Sequence, residues 1–142
     1  MTKLIRFTEQ DLSRIVSESI KKVLIENYCN FNGRARRSEF WYWYLLTLII
    51  DIICTILIQA LPKLNTVFSI IFAVINLAIL LPTIGVQVRR LHDTGRSGWF
   101  LLLILLPIIG LIILIIWFCQ DSDASNEYGP SPKAASTDFM AV

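Results

Sequence analysis

The sequence has little of the chemistry from which most metal sites and enzyme active sites are built. It contains one histidine, His92, and three cysteines among 142 residues. A single histidine argues against a histidine-based metal site. Cys29, Cys54 and Cys119 are too far apart in sequence for a zinc motif or a disulfide framework. We therefore expect no metal ion and no cofactor, and we interpret the cysteines as small apolar packing residues.

The sequence also lacks the features of a cleaved secretory signal peptide. Residues 1–30 are charged and amphipathic, with no apolar stretch ahead of a small-residue cleavage site. We therefore expect the first long apolar block itself to direct membrane insertion. No internal repeat is present, so a repeat architecture is not expected.

Apolar residues, in contrast, are abundant: they make up 55% of the chain, and the mean hydropathy is +0.62. They are concentrated in three long blocks, Phe40–Ala60, Thr66–Val86 and Trp99–Cys119. Each block, as a helix rising about 1.5 Å per residue, is long enough to cross a hydrocarbon core of about 30 Å. The sequence therefore predicts an all-α membrane protein with three transmembrane helices.

The distribution of positive charge predicts how these helices are oriented. Residues 1–39 and the loop between the second and third blocks carry eleven of the 13 lysines and arginines. Only Lys63 and Lys133 remain for the other side of the membrane. By the positive-inside rule the basic side is cytoplasmic, and so is the N-terminus.

Aromatic residues favour the level of the lipid headgroups and give the same orientation. The run Phe40–Tyr44 and Trp99 are expected at the inner interface, and Trp117 and Phe118 at the outer interface. Three crossings place the tail, residues 120–142, outside the cytoplasm. Its many Asp, Ser, Asn, Gly and Pro residues predict a mostly irregular structure.

Residues 1–27 precede the three-span membrane domain, residues 28–119, and predict a cytoplasmic amphipathic helix. Its apolar residues recur at a spacing of three and four: Leu12, Ile15, Val16, Ile20, Val23 and Leu24. Such a helix lies in the membrane interface with its apolar face down, or it packs against a second copy or a protein partner. The sequence leaves both interpretations open, and a free solvated helix is the third alternative.

Two polar residues lie near the middle of the predicted spans, Asp51 in the first and Asn76 in the second. A short loop makes these spans antiparallel, so the two residues fall at the same depth and are predicted to share a hydrogen bond. A carboxylate there costs about 2.5–3.5 kcal/mol, and it should face protein or be protonated. Contact between the helices is the favoured role. The alternative is a proton or ion site in a small oligomeric transporter or channel subunit.

Proline and glycine occur together within the second and third blocks. Pro82 with Gly85, and Pro107 with Gly110, are expected to bend these spans. Broken helices line the substrate sites of transporters, but three spans enclose little volume, so that function would require an oligomer. Proline is also common in membrane helices, which favours simple bends.

His92 and Asp93 are adjacent in the inner loop and form the remaining candidate for catalysis. A catalytic pair needs a nucleophile within reach and a positioned acceptor. No motif links these residues to the neighbouring Ser97, Thr94 or Ser38. We therefore predict no catalytic residues and no enzymatic activity.

Six arginines are expected to converge at the inner membrane surface: Arg34, Arg36, Arg37, Arg89, Arg90 and Arg96. Guanidinium groups bind phosphate through a planar fork of donors, and basic pockets between helices bind anionic lipid headgroups. The alternative is that these arginines only set the topology and pair with Glu39 and Asp93. No nucleic-acid-binding module accompanies them, so nucleic acid is not an expected partner.

Three motifs resemble a known family. They are the segments Phe31–Trp41 (FNGRARRSEFW), Arg89–Trp99 (RRLHDTGRSGW) and Asn126–Pro132 (NEYGPSP). In this order they resemble the small bacterial inner-membrane proteins called domain of unknown function 805. The resemblance implies a multi-pass bacterial inner-membrane protein and supplies no catalytic residues. The helix ahead of Tyr28 departs from the compact family pattern and is interpreted as an added interaction element.

The sequence as a whole therefore predicts a non-enzymatic inner-membrane protein that acts through binding. The expected partners are the lipid bilayer, with anionic lipids or an acidic protein on the arginine cluster, and a second copy or another protein on the N-terminal helix.

Overall fold

The structure is a computed structural model, and it describes residues 9–133. Within these residues it contains four α-helices and no β-strand. The helices are α1 (Glu9–Lys21), α2 (Arg37–Ala60), α3 (Asn65–Asp93) and α4 (Ile109–Cys119). A π-helical turn follows α1 (Lys22–Glu26), and 3-10 segments precede α3 (Pro62–Leu64) and α4 (Gly98–Leu105). Residues 1–8 of the predicted N-terminal segment and residues 134–142 of the predicted tail lie outside the described residues.

Helices α2 and α3 form the antiparallel hairpin that the short loop predicted. By length and composition both could cross a membrane. Only 6% of the most apolar window of each is buried inside the protein. The core helix of a water-soluble protein would be mostly buried, so these surfaces suit a hydrocarbon surrounding. The α3 helix continues through Pro82 without interruption.

The third apolar block does not form the single transmembrane helix that was predicted. Its 3-10 segment ends at Leu105, the chain reverses at Ile108, whose φ is 69°, and α4 returns. The Phe100 and Trp117 rings lie 5.4 Å apart, so the beginning of the first leg and the end of the second are neighbours. Each leg is about 16 Å long, roughly half the thickness of a hydrocarbon core. The block is a re-entrant hairpin in shape.

Pro107 and Gly110 explain why this block reverses direction instead of bending. Proline has no amide hydrogen to continue a helix. At Gly110 a Cβ atom would collide with the backbone of Leu103, so the two legs meet as closely as only glycine allows. The prediction that this pair bends one continuous span is therefore wrong.

The tail Gln120–Lys133 lies at the same end of the α2–α3 hairpin as the segment that precedes α2. The Asp123 amide donates to the Asp93 carbonyl at 3.0 Å, and an Arg34 Nη1 donates to the Ala124 carbonyl at 2.8 Å. The prediction that these segments lie at opposite ends is wrong, because the third block turns back. For the same reason Trp117 and Phe118 do not mark an opposite interface.

The chain between α1 and α2 lies along α3. The Tyr28 hydroxyl donates to the Ala78 carbonyl at 2.5 Å, and the Ala35 amide donates to the Arg89 carbonyl at 3.1 Å. A Cβ atom at Gly85 would lie 3.3 Å from the Asn30 carbonyl oxygen, which accounts for the small residue there. The segment before α2, the beginning of α2, the end of α3, the end of α4 and the tail therefore converge at one end of the hairpin. The buried core lies there: Val23, Ala35, Phe40, Trp43, Val86, Leu91, Leu114 and Phe118.

Candidate functional site: an arginine cap on the helical hairpin

Asp93, at the C-terminus of α3, is the centre of a buried ionic network. Arg34 Nε lies 3.0 Å from Asp93 Oδ1, and Arg90 Nη1 contacts Asp93 Oδ2. The Ser122 hydroxyl donates to the same carboxylate at 2.5 Å. The three charged side chains are at most 2% exposed. Buried charges are tolerated when they are paired and hydrogen-bonded, and this network meets both conditions. We call this end of the protein the arginine cap.

The Arg34 side chain also binds backbone carbonyl groups of the tail. Its guanidinium donates to the carbonyls of Asp123 at 2.6 Å, Ala124 at 2.8 Å and Gly129 at 3.1 Å. Arg90 likewise donates to the carbonyls of two separate segments, those of Ala35 before α2 and of Phe118 and Gln120 at the end of α4. The planar, five-donor guanidinium suits such multiple contacts. These two arginines therefore cross-link chain segments and present little surface to a ligand.

Arg89 forms a second buried pair with Glu39, joining α3 to the first turn of α2. Its Nη1 lies 2.6 Å from Glu39 Oε1, and both side chains are at most 5% exposed. Among the described residues, nothing accepts a hydrogen bond from Nε or Nη2 of Arg89. The pair continues a series of contacts between the two helices that includes Trp43 Nε1 to Thr83 Oγ1 at 3.0 Å.

The other predicted arginines lie nearer the surface of the cap. Arg96 donates to the Gln120 side chain at 2.7 Å, and its guanidinium carbon lies 4.6 Å from the centre of the Trp117 ring. Arg36 lines a cleft of about 340 Å³ beside α1. The structure thus brings all six predicted arginines to one end of the hairpin, but not into one open pocket.

Arg37 is the most clearly accessible of the six, with 46% of its side chain exposed. Its Nη2 lies 3.3 Å from Asp121 Oδ1, which also accepts from Lys133 Nζ at 2.5 Å. The hydrogen bond from Lys133 is the main reason that the pKa of Asp121 is below its ordinary value, and the Arg37 charge adds to it. This contact is present at neutral pH and is lost as the pH falls through the lowered pKa.

The structure does not bring His92 and Asp93 together as a catalytic pair. The Asp93 carboxylate faces Arg34 and Arg90, whereas His92 Nδ1 lies 3.1 Å from the Gly33 carbonyl oxygen. The His92 ring stacks on Tyr128 with the centroids 4.0 Å apart. Tyr128 comes from the tail, and burial is the first cause of the raised pKa of its hydroxyl.

The predicted hydrogen bond between Asp51 and Asn76 is wrong, since none joins their side chains in the described structure. Asn76 Nδ2 donates to the Phe72 carbonyl of its own helix at 3.1 Å. Asp51 Oδ1 is buried and has no hydrogen-bond partner among the described residues. The contact between Trp43 and Thr83 sets a helix register in which Asp51 and Asn76 do share one level. The common level of the two residues agrees with the prediction, whereas the predicted contact between them does not occur.

Sequence reasoning missed an apolar groove of about 850 Å³ between α3 and the segment Gly98–Leu105. It runs from Leu80 and Leu105 at one end to His92 and Tyr128 at the other. The sequence motif Asn126–Pro132 contained a signal, since it carries Tyr128. The groove itself depends on the reversal of the third block, which the hydropathy pattern does not encode.

These features define a helical membrane protein whose polar cap is held together by buried arginine–carboxylate pairs. The chain belongs to the family DUF805, described as a protein of unknown function, which matches residues 28–130. The family recognised from its motifs is thereby confirmed.

Two relatives from Escherichia coli K12 carry names that give a location. Inner membrane protein YhaI is 40% identical over 118 residues, which cover 80% of this chain and 94% of the relative. Inner membrane protein YhaH is 38% identical over 112 residues, which cover 78% of this chain and 93% of the relative. No solved structure matches this chain.

Proposed function

We propose that this chain is a non-enzymatic protein of the bacterial inner membrane that binds anionic lipid headgroups at its arginine cap. In this proposal α2 and α3 cross the bilayer, and the re-entrant hairpin enters it from the side of the cap. The names and close similarity of the E. coli relatives support the location. The extensive exposed apolar surface of α2 and α3 supports a lipid surrounding.

The distribution of charge supports a cytoplasmic cap. Lys21 and Lys22 line a cleft with Arg36, and Lys133 belongs to the same end as Arg37, whereas Lys63 lies in the loop at the other end. The asymmetry is therefore larger than a three-span arrangement would give, and the positive-inside rule assigns the cap to the cytoplasm. That side also faces the more anionic leaflet surface.

The observation that carries lipid binding is the exposed position of Arg37 at the start of α2. Arg36, Arg37, Ser38 and Lys133 line one surface pocket of about 280 Å³. Trp41, which is 43% exposed, lies one helical turn further along α2, where an aromatic ring suits the headgroup level. The pocket therefore offers positive charge just above an aromatic residue. The buried Arg34, Arg89 and Arg90 have structural roles in this proposal.

We expect the double variant Arg36→Gln/Arg37→Gln to retain anionic lipid roughly five-fold less for each charge removed, since one basic residue near the surface contributes about 1 kcal/mol. Native mass spectrometry after release from nanodiscs of anionic or zwitterionic lipid measures this retention. Arg14→Gln is the matched control, because Arg14 is exposed on α1 and pairs with Glu18. Equal lipid retention by the wild type and the double variant would contradict the proposal. Capture of an acidic protein at the cap would instead identify that protein, and not a lipid, as the ligand.

The unpartnered Asp51 oxygen supports a second candidate, an oligomeric transporter or channel subunit. Ionisable groups within membrane spans commonly mark ion or proton paths. In proteoliposomes this candidate predicts a proton or ion flux that Asp51→Asn abolishes and Thr55→Val, one turn away, preserves. Absence of flux in the wild type removes it.

We also propose that the surface of α1 and the following turn contacts a second copy or a protein partner. Leu12 and Ile25 are 49% and 71% exposed. If α1 were free in solution, these two apolar side chains would be exposed to water. Their exposure therefore supports contact with another protein surface.

A further inference from the structure

The groove between α3 and Gly98–Leu105 has two chemically different ends. Leu80, Ile104 and Leu105 line its deep end, and His92, Ser97 and Tyr128 line the end nearest the arginine cap. Along α3, the distance from Leu80 to His92 is about 18 Å at 1.5 Å per residue. The groove therefore extends from the polar cap to well inside the apolar part of the hairpin.

The side of the groove is continuous with the exposed apolar surface of the re-entrant hairpin. Leu102 is 56% exposed and Leu105 is 74% exposed. At this depth of a bilayer the medium around the protein is hydrocarbon. An apolar groove that opens into hydrocarbon is filled by acyl chains, because neither water nor a polar peptide is stable there.

The cap end of the groove offers neutral hydrogen-bonding groups. His92 Nδ1 donates to the Gly33 carbonyl at 3.1 Å, which leaves Nε2 as the acceptor of the neutral ring. Nε2 lies 3.5 Å from where a Cβ of Gly98 would be, so it faces the first leg of the hairpin. The Ser97 and Tyr128 hydroxyls belong to the same end. The Arg96 charge is engaged with Gln120 and Trp117.

We propose that this groove binds one acyl chain of a membrane lipid, with the ester or glycerol hydroxyl group of that lipid hydrogen-bonded to His92 and Tyr128. The order of the two ends matches an amphiphile in the leaflet next to the cap: hydrogen-bonding groups at headgroup level, and apolar side chains below them. Among the described residues, the only charge that acts on His92 and Tyr128 from beside this end is that of the Glu127 carboxylate. The site therefore favours the uncharged acyl and ester part of a lipid over an anionic headgroup. It is thus separate from the Arg37 pocket.

Gly98 keeps the groove in shape. A Cβ atom there would lie 2.7 Å from Val88 Cγ1, so any larger residue would force Val88 or the first leg to move. The Tyr128 ring, stacked on His92, closes the cap end with a residue from the tail. The tail therefore completes the proposed site, which gives a function to the tail contacts of Arg34.

The test is photolabelling of the full-length protein in nanodiscs, with a zwitterionic phospholipid that carries a diazirine near the end of one acyl chain. Peptides are then mapped by mass spectrometry. We expect the label to concentrate on residues 80–88 and 98–105. Leu80→Trp fills the groove from α3 and should lower this labelling at least five-fold. Leu77→Trp is the matched control, because Leu77 is 70% exposed on the same helix and does not line the groove.

Two further variants guard against a folding defect in Leu80→Trp, which is checked by its thermal unfolding. Leu102→Trp fills the groove from the opposite wall, and Tyr128→Phe removes only the hydroxyl while the ring can still stack. Each should reduce the label. The proposal is overturned by labelling that is even along α2 and α3 and insensitive to these changes, or by cross-linked dimers in place of lipid adducts. Arg36→Gln/Arg37→Gln should leave this labelling unchanged, so the two lipid proposals fail separately.

Discussion

Asp93→Ala is expected to unfold the arginine cap, with a loss of about 3–5 kcal/mol in the free energy of unfolding. The reason is that removal of one partner from a buried ion pair leaves an uncompensated buried charge. Here two arginines, Arg34 and Arg90, lose their carboxylate at once, and all three side chains are at most 2% exposed. Thermal unfolding in detergent, followed by tryptophan fluorescence, measures the change. Limited proteolysis of the tail gives an independent measure, because Arg34 holds its carbonyls.

Asp121→Ala is the control for this prediction. Its carboxylate also pairs with an arginine, Arg37, but it is 58% exposed. Exposed pairs contribute about 0–1 kcal/mol, so this variant should unfold close to the wild type. Similar losses in the two variants would mean that the Asp93 network does not hold the cap together.

A second carboxylate permits a further check on the physical reason. Glu39→Ala leaves the buried Arg89 charge without its carboxylate partner and should also be strongly destabilising. The double variant Glu39→Leu/Arg89→Met removes both charges and should recover much of the stability. If the double variant is as unstable as the single one, the cost comes from lost packing and not from the stranded charge.

A fluorescent protein fused after the tail of the full chain is expected to fluoresce, and alkaline phosphatase at the same position is expected to be inactive. The first reporter needs the cytoplasm to mature, and the second needs the periplasm. The expectation follows because the tail contacts Arg34 and Arg37 at the cap, and the cap carries the positive charge. The effect is nearly all-or-none, since it depends on whether the chain crosses the membrane an even or an odd number of times.

Alkaline phosphatase inserted at Lys63 is the matched control and should be active, because this loop joins α2 to α3 at the end away from the cap. The opposite result at the tail, with an active phosphatase and a dark fluorescent protein, would restore three crossings. It would also mean that the described contacts between the tail and Arg34 do not exist in the membrane.

These two experiments bear on both lipid proposals. The Arg37 pocket includes Lys133, and the acyl groove is closed by Tyr128, so each needs the tail on the side of the cap. Asp93→Ala should therefore also weaken photolabelling of the groove. Arg37→Gln, which leaves the buried network intact, should not.

The sequence by itself determined the membrane class, the family, the hairpin of the first two apolar blocks and the gathering of the arginines at one end. Hydrophobic length and charge asymmetry are local quantities, and they can be read along the chain without knowledge of contacts. The depth of Asp51 and Asn76 followed in the same way, from a short loop and the regular rise of a helix.

Tertiary structure alone decided the third block, the side of the tail and the roles of individual arginines. Hydropathy counts apolar residues, and one crossing helix and two half-length legs have the same count, so Trp99–Cys119 passed the test for a span. The close approach of Gly110 to Leu103 distinguishes the two arrangements. Likewise, composition cannot tell an arginine that faces phosphate from one that is buried on a carboxylate. Arg34 and Arg89 are buried because their partners Asp93 and Glu39, distant in sequence, meet them only in the folded cap. Arg90 is three residues from Asp93 on α3, and it is the carbonyls of Ala35, Phe118 and Gln120 that meet it only in the folded cap.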